Sequence, residues 1–213
     1  MAFRKRYAKK SATARAIVGQ EMRAKKTYEI DGCVYKSKTL RDLHEVLMTN
    51  EYVKTFSLPT ADVEAKERNK KYGAKKIEIN GIVFDSIMEG RFYLYLLQRM
   101  ADGEVENFDR QITFELQPKF RSKFDGKLIR AINYIADFVV TMTDGTEYVI
   151  DVKGEETDTF KIKRKLFEYK YPDKYFMCVQ WVARDGKWEN LDDIKLRRRE
   201  NRKAVKASKT KTA

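Results

Sequence analysis

The sequence predicts an α/β fold in which a mixed β-sheet is flanked by helices. From Lys75 onward, segments typical of strands and helices follow in the order strands, helix, strands, hairpin, helix, strand. Hydrophobic residues make up 42% of the 213 residues, which is enough for a genuine core. No apolar run approaches the ~20 residues that cross a bilayer, so we expect a cytoplasmic protein.

The first 74 residues predict three segments before this sheet. Residues 1–26 form a basic arm of mixed Ala, Lys and Arg. Residues 27–58 predict a small ββα module, because two short strand-like runs surround Asp31-Gly32 and apolar residues then recur at helical spacing. Residues 59–74 are polar, begin at Pro59 and predict a linker.

A short sequence occurs twice. "YEIDGCVYKS" begins at Tyr28 and "IEINGIVFDS" begins at Ile77, and each precedes a helical pattern. A degenerate duplication explains this, and so does shared turn chemistry, since Asp-Gly and Asn-Gly are common type I′ pairs. The second copy alone carries an acid, Glu89, where the first copy has Leu40.

Residues 75–190 form the predicted main domain. Its first helix runs from Ser86 to about Ala101 and is apolar over much of its circumference, which predicts burial. A strand-like segment and the hairpin "YIADFVVTMTDGTEYVIDVKG" follow, and then a helix that Pro172 ends and a final strand. Residues 191–213 form a basic C-terminal tail.

The net charge of +13 is concentrated at the two ends of the chain. Residues 1–26 and residues 195–213 each carry +8, and the residues between them carry −3. Basic segments of this kind suit a nucleic acid, because each cation that neutralises a phosphate releases a counterion. Solubility alone is the other explanation, and charge does not distinguish DNA from RNA.

The hairpin carries two acids, Asp137 and Asp151, within apolar strands. A two-residue loop at Asp144-Gly145 would mix charge with core on both faces. A three-residue loop with a bulge, in which paired residue numbers sum to 290, would place Tyr134, Ala136 and Phe138 on one face and the acids with Lys153 on the other. We therefore expect Asp137 to lie beside or diagonal to Asp151 and Lys153.

Adjacent carboxylates repel one another unless a cation lies between them. Mg²⁺ takes oxygen ligands and completes its shell with water and phosphate, and Mn²⁺ is its expected substitute. Asp137, Asp151 and the carbonyl of Val152 are candidate ligands. Cysteine and histidine chemistry has little support, because the chain has two separate cysteines and one histidine, His44, which we expect to pack locally.

At these residues the sequence resembles the PD-(D/E)xK nuclease superfamily, whose pattern is a helix acid, a strand Asp and then Asp/Glu-x-Lys. The matching residues are Glu89 in "SIMEGRF", Asp137 in "IADF" and Asp151-Val152-Lys153 in "IDVKG". Residues 75–188 look similar to small phage and prophage nuclease-like proteins, which are similar to Holliday-junction resolvases and to endonuclease subunits of transposition systems. Ala136 stands where the motif name has Pro, and Asp151 where Glu is commoner.

The resemblance implies a restriction-endonuclease-like core and a magnesium-dependent DNA endonuclease of phage type, found in the bacterial host cytoplasm. Branched or recombination-intermediate DNA would be its substrate, and junction cutting would imply a homodimer. Asp137 and Asp151 would be metal ligands, Glu89 an auxiliary acid and a further metal ligand through water, and Lys153 the catalytic base. "SIME" is also a Ser-x-x-Glu capping box, which competes for the same carboxylate.

Two groups of cations are candidate nucleic-acid contacts, and a solvated helix face explains them equally well. They are Lys161, Lys163, Arg164 and Lys165 in the helix after the hairpin, and Arg197, Arg198 and Arg199 in the tail. Two other functions stay open. One is a non-catalytic nucleic-acid-binding protein with the nuclease fold, and the other is a nuclease subunit active only in a recombination or transposition complex.

Overall fold

The computed structural model describes residues 27–60, 75–153 and 156–211, with the side chains of the helical part described up to residue 206. The basic arm 1–26, most of the expected linker and Gly154 therefore lie outside the described residues. The chain divides into two compact units. The described residues form no helix that is both long enough and apolar enough to cross a bilayer.

The first unit contains the expected ββα arrangement. Strand β1 is Tyr28–Ile30, strand β2 is Cys33–Tyr35 and helix α1 is Lys38–Thr49. Asp31 and Gly32 form the turn with positive φ angles of 47° and 72°, as a type I′ pair requires. His44 is buried and its Nδ1 lies 2.7 Å from the Tyr35 hydroxyl, so the expected packing role of His44 is confirmed.

The second unit begins earlier than the sequence suggested. Strands β3 (Phe56–Ser57), β4 (Ile77–Ile79) and β5 (Ile82–Phe84) form a three-stranded antiparallel sheet. Because β3 pairs with β4, residues 50–57 belong to this unit and not to the predicted 27–58 module. The amide side chain of Asn80 reinforces the pairing by accepting from Lys54 N at 2.7 Å and donating to Tyr52 O at 2.8 Å.

Helix α2, Ile87–Ala101, follows this small sheet and is buried along one broad side, as its apolar sequence predicts. Ser86 caps it by accepting from Glu89 N at 3.1 Å. Gly90 allows the helix to approach β4 closely, since a Cβ at this position would lie 2.4 Å from Cδ1 of Ile77.

A five-stranded mixed sheet forms the centre of the second unit, in the order β12-β11-β10-β9-β6. Strands β10 and β11 are parallel and the other neighbours are antiparallel, so the predicted α/β class is confirmed. A separate two-stranded hairpin contains β7 (Phe120–Arg121) and β8 (Leu128–Ile129). The five strands are β6 Val105–Gln117, β9 Ile132–Met142, β10 Glu147–Val152, β11 Tyr175–Val182 and β12 Lys187–Asn190.

Helix α3, Asp158–Lys170, connects the two parallel strands, because a parallel pair needs a crossover. Helix α4 is Leu191–Lys211, so the segment expected as a tail is helical over most of its length. Leu191 and Ile194 anchor α4 in the core, and the described residues from Leu196 to Lys206 are exposed.

The hairpin of β9 and β10 has a three-residue loop, as we expected, but its centre differs. Pairs such as Val139 with Val149 sum to 288 and not to 290. The loop closes one residue earlier because Gly145 takes a φ of 84° and the Asp144 side chain accepts from Thr146 N at 2.8 Å. This register places Asp137 opposite Asp151, where we had expected it opposite Lys153.

The expected separation of faces is wrong in part. Tyr134 packs against Phe167 of α3, whereas Phe138, four residues later, packs against Phe92 of α2. Ala136 belongs to the same core cluster as Tyr134, Val139 and Val149. Side-chain alternation therefore reverses near Asp137, next to Gln111 of β6, whose φ is 55° and which is skipped in the ladder with β9.

Candidate functional site

The candidate site lies at the end of β10 and is built from two neighbouring strands and the first turn of α2. Asp137 comes from β9, Asp151 from β10, and Lys153 directly follows β10. Glu89 lies in the first turn of α2 and interacts electrostatically with Asp137 and Lys153. The structure therefore brings together the four residues that the sequence singled out.

Asp151 is the most enclosed of these groups, with only 1% of its surface exposed. Its Oδ1 accepts a hydrogen bond of 2.7 Å from the Tyr134 hydroxyl, and its Oδ2 lies 2.8 Å from Lys153 Nζ. Apart from this ion pair, Oδ2 has no hydrogen-bond partner among the described residues. A buried carboxylate with spare acceptor capacity is suited to a cation.

Asp137 is held by the strand opposite it. Its Oδ2 accepts a 2.8 Å hydrogen bond from Val152 N, which fixes the carboxylate beside β10. Burial and the neighbouring Asp151 raise the pKa of Asp137 to about 7, although Lys153 and the Val152 amide oppose the rise. At neutral pH the Asp137 carboxyl group is therefore partly protonated when no metal cation lies beside it.

Lys153 is half-buried beside the Phe160 ring, with Nζ 5.4 Å from its centroid. Burial lowers the pKa of this lysine, but Asp151 and Asp137 outweigh that effect and the net pKa is raised. With these two carboxylates beside it and no metal between them, Lys153 is therefore an ammonium ion at neutral pH.

Glu89 performs the capping role. Its Oε1 accepts from the Ser86 hydroxyl at 2.9 Å, and its Oε2 accepts from the Asp85 amide at 3.3 Å, one residue before the Ser86 amide that a standard capping box uses. Burial raises the pKa of Glu89, although these two hydrogen bonds lower it. Glu89 thus faces the site while both of its oxygens are held by the helix cap.

The donor atoms at the site decide whether its residues suit the expected metal ion. Asp137, Asp151 and the Val152 backbone supply hard oxygen ligands, and magnesium sites commonly use one or two carboxylates with water. Within the described residues, no three acidic, histidine or cysteine side chains form a metal-binding group. The residues therefore fit an ion held by two carboxylates, with Glu89 held apart by its cap.

Two residues at the site were missed in the sequence. Tyr134 is 3% exposed and orients Asp151; the signal was a tyrosine at a core position, whose hydroxyl needs a partner. Arg110 of β6 interacts electrostatically with Glu89 and Asp137. No motif marks Arg110, because its proximity arises only from the pairing of β6 with β9.

The expected nucleic-acid contacts are partly engaged within the protein. Lys161 pairs with Asp158, Lys163 Nζ donates to Asn133 O at 2.8 Å, and Arg197 pairs with Glu189. Arg164 bonds Glu168 and Asp192. The remaining three, Lys165, Arg198 and Arg199, are exposed.

Two further features near the sheet carry no chemistry of this site. Burial raises the pKa of the Cys178 thiol to about 12, with Asp151 adding to the effect, so the thiol stays protonated. An open groove of about 530 Å³ lies at the hairpin turn, lined by residues 144–147 and 170–175, and contains none of the candidate residues.

Comparison with known proteins identifies a family by sequence. Residues 69–190, more than half of the chain, match the model of a family described as a protein of unknown function, DUF1064. No curated protein matches the chain. The chain is therefore a member of the DUF1064 family.

Proposed function

We propose that this protein is a divalent-metal-dependent DNA endonuclease that hydrolyses phosphodiester bonds. The observation that carries the proposal is the convergence of Asp137, Asp151 and Lys153, with the Asp151–Lys153 ion pair at 2.8 Å and a raised Asp137 pKa. Paired carboxylates with an adjacent lysine on neighbouring strands fit the chemistry that the resemblance to PD-(D/E)xK nucleases implies.

Asp137, Asp151 and the Val152 carbonyl would hold Mg²⁺ or Mn²⁺, which when bound activates water and offsets charge on the phosphate. The protein residues have separate tasks. Tyr134 orients Asp151, and the Val152 amide orients Asp137. The Lys153 ammonium would orient the water and offset charge that develops on the phosphate oxygens, which its raised pKa favours over a role as base.

Branched or recombination-intermediate DNA is the substrate that we propose from the same resemblance. Exposed cations of α4, Arg198 and Arg199 among them, would contact phosphates. These cations equally favour a non-catalytic nucleic-acid-binding protein, so the assay must separate binding from cleavage.

The test uses the full-length protein with supercoiled plasmid and with a four-way junction, in Mg²⁺, Mn²⁺ or EDTA. We expect metal-dependent cutting that Asp151→Asn and Lys153→Ala reduce by at least about 100-fold, a typical loss for a group that stabilises transition-state charge. Asp109→Asn is the matched control, because Asp109 is an exposed aspartate in β6.

DNA binding is measured in EDTA for the same variants. Binding without cutting in any metal would refute an endonuclease that acts alone, and would leave the binding protein or a nuclease subunit that needs its complex. Cutting by Asp151→Asn at the wild-type rate would place the active site elsewhere.

A further inference from the structure

Arg110 is a cation placed beside the candidate site without a direct anionic partner. It lies in β6 and pairs with Phe138, the residue after Asp137. The negative charges of Glu89, Asp137 and Asp85 all favour the charged form of Arg110 and raise its pKa, against the effect of burial. Among the described residues, however, none places a carboxylate oxygen within 4.0 Å of its guanidinium, as the ion pairs of Arg99 and Arg164 do.

The Arg110 guanidinium is held in place by stacking. Its Cζ lies 4.1 Å from the centroid of the Phe84 ring, and Phe84 itself is fully buried. The planar guanidinium can present two parallel N–H groups to a bidentate acceptor such as a phosphate, and contact with the ring limits its orientations. Stacking therefore orients the side chain without occupying its donors.

Most donors of Arg110 have no acceptor in the described part of the chain. Nη2 donates to Val83 O at a long 3.3 Å, and the buried Nε–H has no hydrogen-bond partner there. A buried donor without an acceptor is destabilising, and a bound ligand that accepts from it removes this cost. Burial also lowers the pKa of Arg110, as expected for a partly desolvated cation.

The backbone next to Arg110 is strained. Gln111, next to Arg110, has a φ of 55° although it is not glycine, and it lies between the residues that pair with Phe138 and Ala136, at the level of Asp137. Non-glycine residues in this region carry strain and concentrate at functional sites. The strained backbone is therefore adjacent to Arg110 and to the strand position of Asp137.

From this geometry we propose that Arg110 binds a non-bridging oxygen of the phosphodiester that occupies the site formed by Asp137, Asp151 and Lys153. The inference rests on the proposed function and adds a substrate-contacting residue to it. Arg110 would neutralise phosphate charge from the β6 side, in addition to the contribution of Lys153.

The experiment compares Arg110→Lys and Arg110→Gln with Arg99→Gln. Arg99 is the matched control, because it also lies over an aromatic ring, Tyr95, but is already paired with Glu104. We expect Arg110→Gln to lower single-turnover cleavage in Mg²⁺ by about 10–100-fold and Arg110→Lys to lose less. Arg99→Gln should change the single-turnover cleavage rate less than twofold.

A second readout does not depend on cleavage. The Arg110 Nε–H NMR signal, assigned by its absence in Arg110→Lys, is followed while a 12-base-pair DNA duplex is added in Ca²⁺. We expect it to shift together with the backbone amides of residues 151–153. Wild-type cleavage with unaffected Arg110 variants would overturn the inference and leave the nuclease standing.

The NMR arm separates the remaining outcomes. Shifts of the 151–153 amides with an unchanged Arg110 signal would overturn the inference even if no cleavage were found. A coupled shift in a protein that never cuts DNA would support the phosphate contact and refute an endonuclease that acts alone. Thermal unfolding of both Arg110 variants checks that they fold.

Discussion

Asp137 bears a stability cost that its neighbours create. Its raised pKa, about 7 against an ordinary 3.8, means that the folded state holds a proton which the unfolded state has released. Stability of the metal-free protein therefore falls as pH rises from about 4 to about 7, and the loss is complete above that range.

Asp137→Asn removes this repulsion and retains an oxygen that can accept from Val152 N. In EDTA at pH 8, we expect the free energy of unfolding of the variant to exceed that of wild type by about 1–3 kcal/mol. At pH 5 this difference should largely disappear. Urea unfolding at both pH values measures this. An equal change at both pH values, or one matched by the exposed Asp109→Asn, would contradict the prediction.

Tyr134 supports Asp151 with a single hydroxyl. Tyr134→Phe keeps the ring contacts with Phe160, Phe167 and Phe176 but leaves Asp151 Oδ1 buried without that donor. We expect a loss of about 1–3 kcal/mol in the free energy of unfolding. Tyr169→Phe is the control, since Tyr169 is 87% exposed and should change stability by less than about 0.5 kcal/mol.

A double-mutant cycle of Tyr134→Phe with Asp151→Asn tests whether the hydroxyl acts through the carboxylate. The double variant should lose less free energy of unfolding than the sum of the two single losses, and the difference, the coupling energy, should be about 1 kcal/mol. Additive losses would assign Tyr134 to packing alone.

The two ββα segments are alike at the level of elements. Each has a type I′ turn, at Asp31-Gly32 or Asn80-Gly81, and a helix that begins three residues after the second strand. The Tyr35–His44 ring pair has its counterpart in Phe84–Tyr93, with centroids 5.7 Å and 5.1 Å apart. Such agreement in core contacts exceeds what shared turn chemistry requires and favours duplication.

The contact of α2 with β4 depends on Gly90. Gly90→Ala would gain up to about 1 kcal/mol of helix propensity, but its Cβ would clash with Ile77, which is 2% exposed and cannot move into solvent. We expect a net loss of about 1–3 kcal/mol in thermal or urea unfolding.

Ile77→Val removes the Cδ1 atom that the new methyl group meets. The double variant should therefore be less destabilised than the sum of the single variants by about 1 kcal/mol. A stabilised Gly90→Ala variant would mean that α2 moves away from the strand at little cost.

The sequence predicted those parts of the molecule that depend on local chemistry. Helix α2, its cap at Ser86 and the three-residue loop of the hairpin follow from spacing and turn residues, and the proximity of Asp137 to Asp151 follows from that loop. The pairing of β3 with β4 and the reversal near Asp137 depend on contacts between distant segments. Arg110 was missed for the same reason, whereas Tyr134 carried a signal in the sequence, a tyrosine at a core position whose hydroxyl needs a partner.

The charge distribution of the whole chain predicts how DNA affinity responds to salt. Residues 1–26 and residues 200–213 contain nine and five Lys or Arg, respectively. Each cation that contacts a phosphate contributes about 0.9 to the slope of log K against log salt concentration on duplex DNA. Removing residues 1–26 should lower the slope by up to about 8, and removing residues 200–213 by up to about 4.5, as fluorescence anisotropy would measure.

These truncations should leave the second unit folded, because the α4 anchors Leu191 and Ile194 remain and Arg197 keeps its pairing with Glu189. Cleavage at saturating DNA should then change little, since the site residues are untouched. A large fall in the saturating rate would mean that the basic ends place DNA at the site. Unchanged slopes would assign binding to the body of the protein, whose residues 27–194 carry a net −3 and must then hold DNA through local patches such as Arg110 and Lys165.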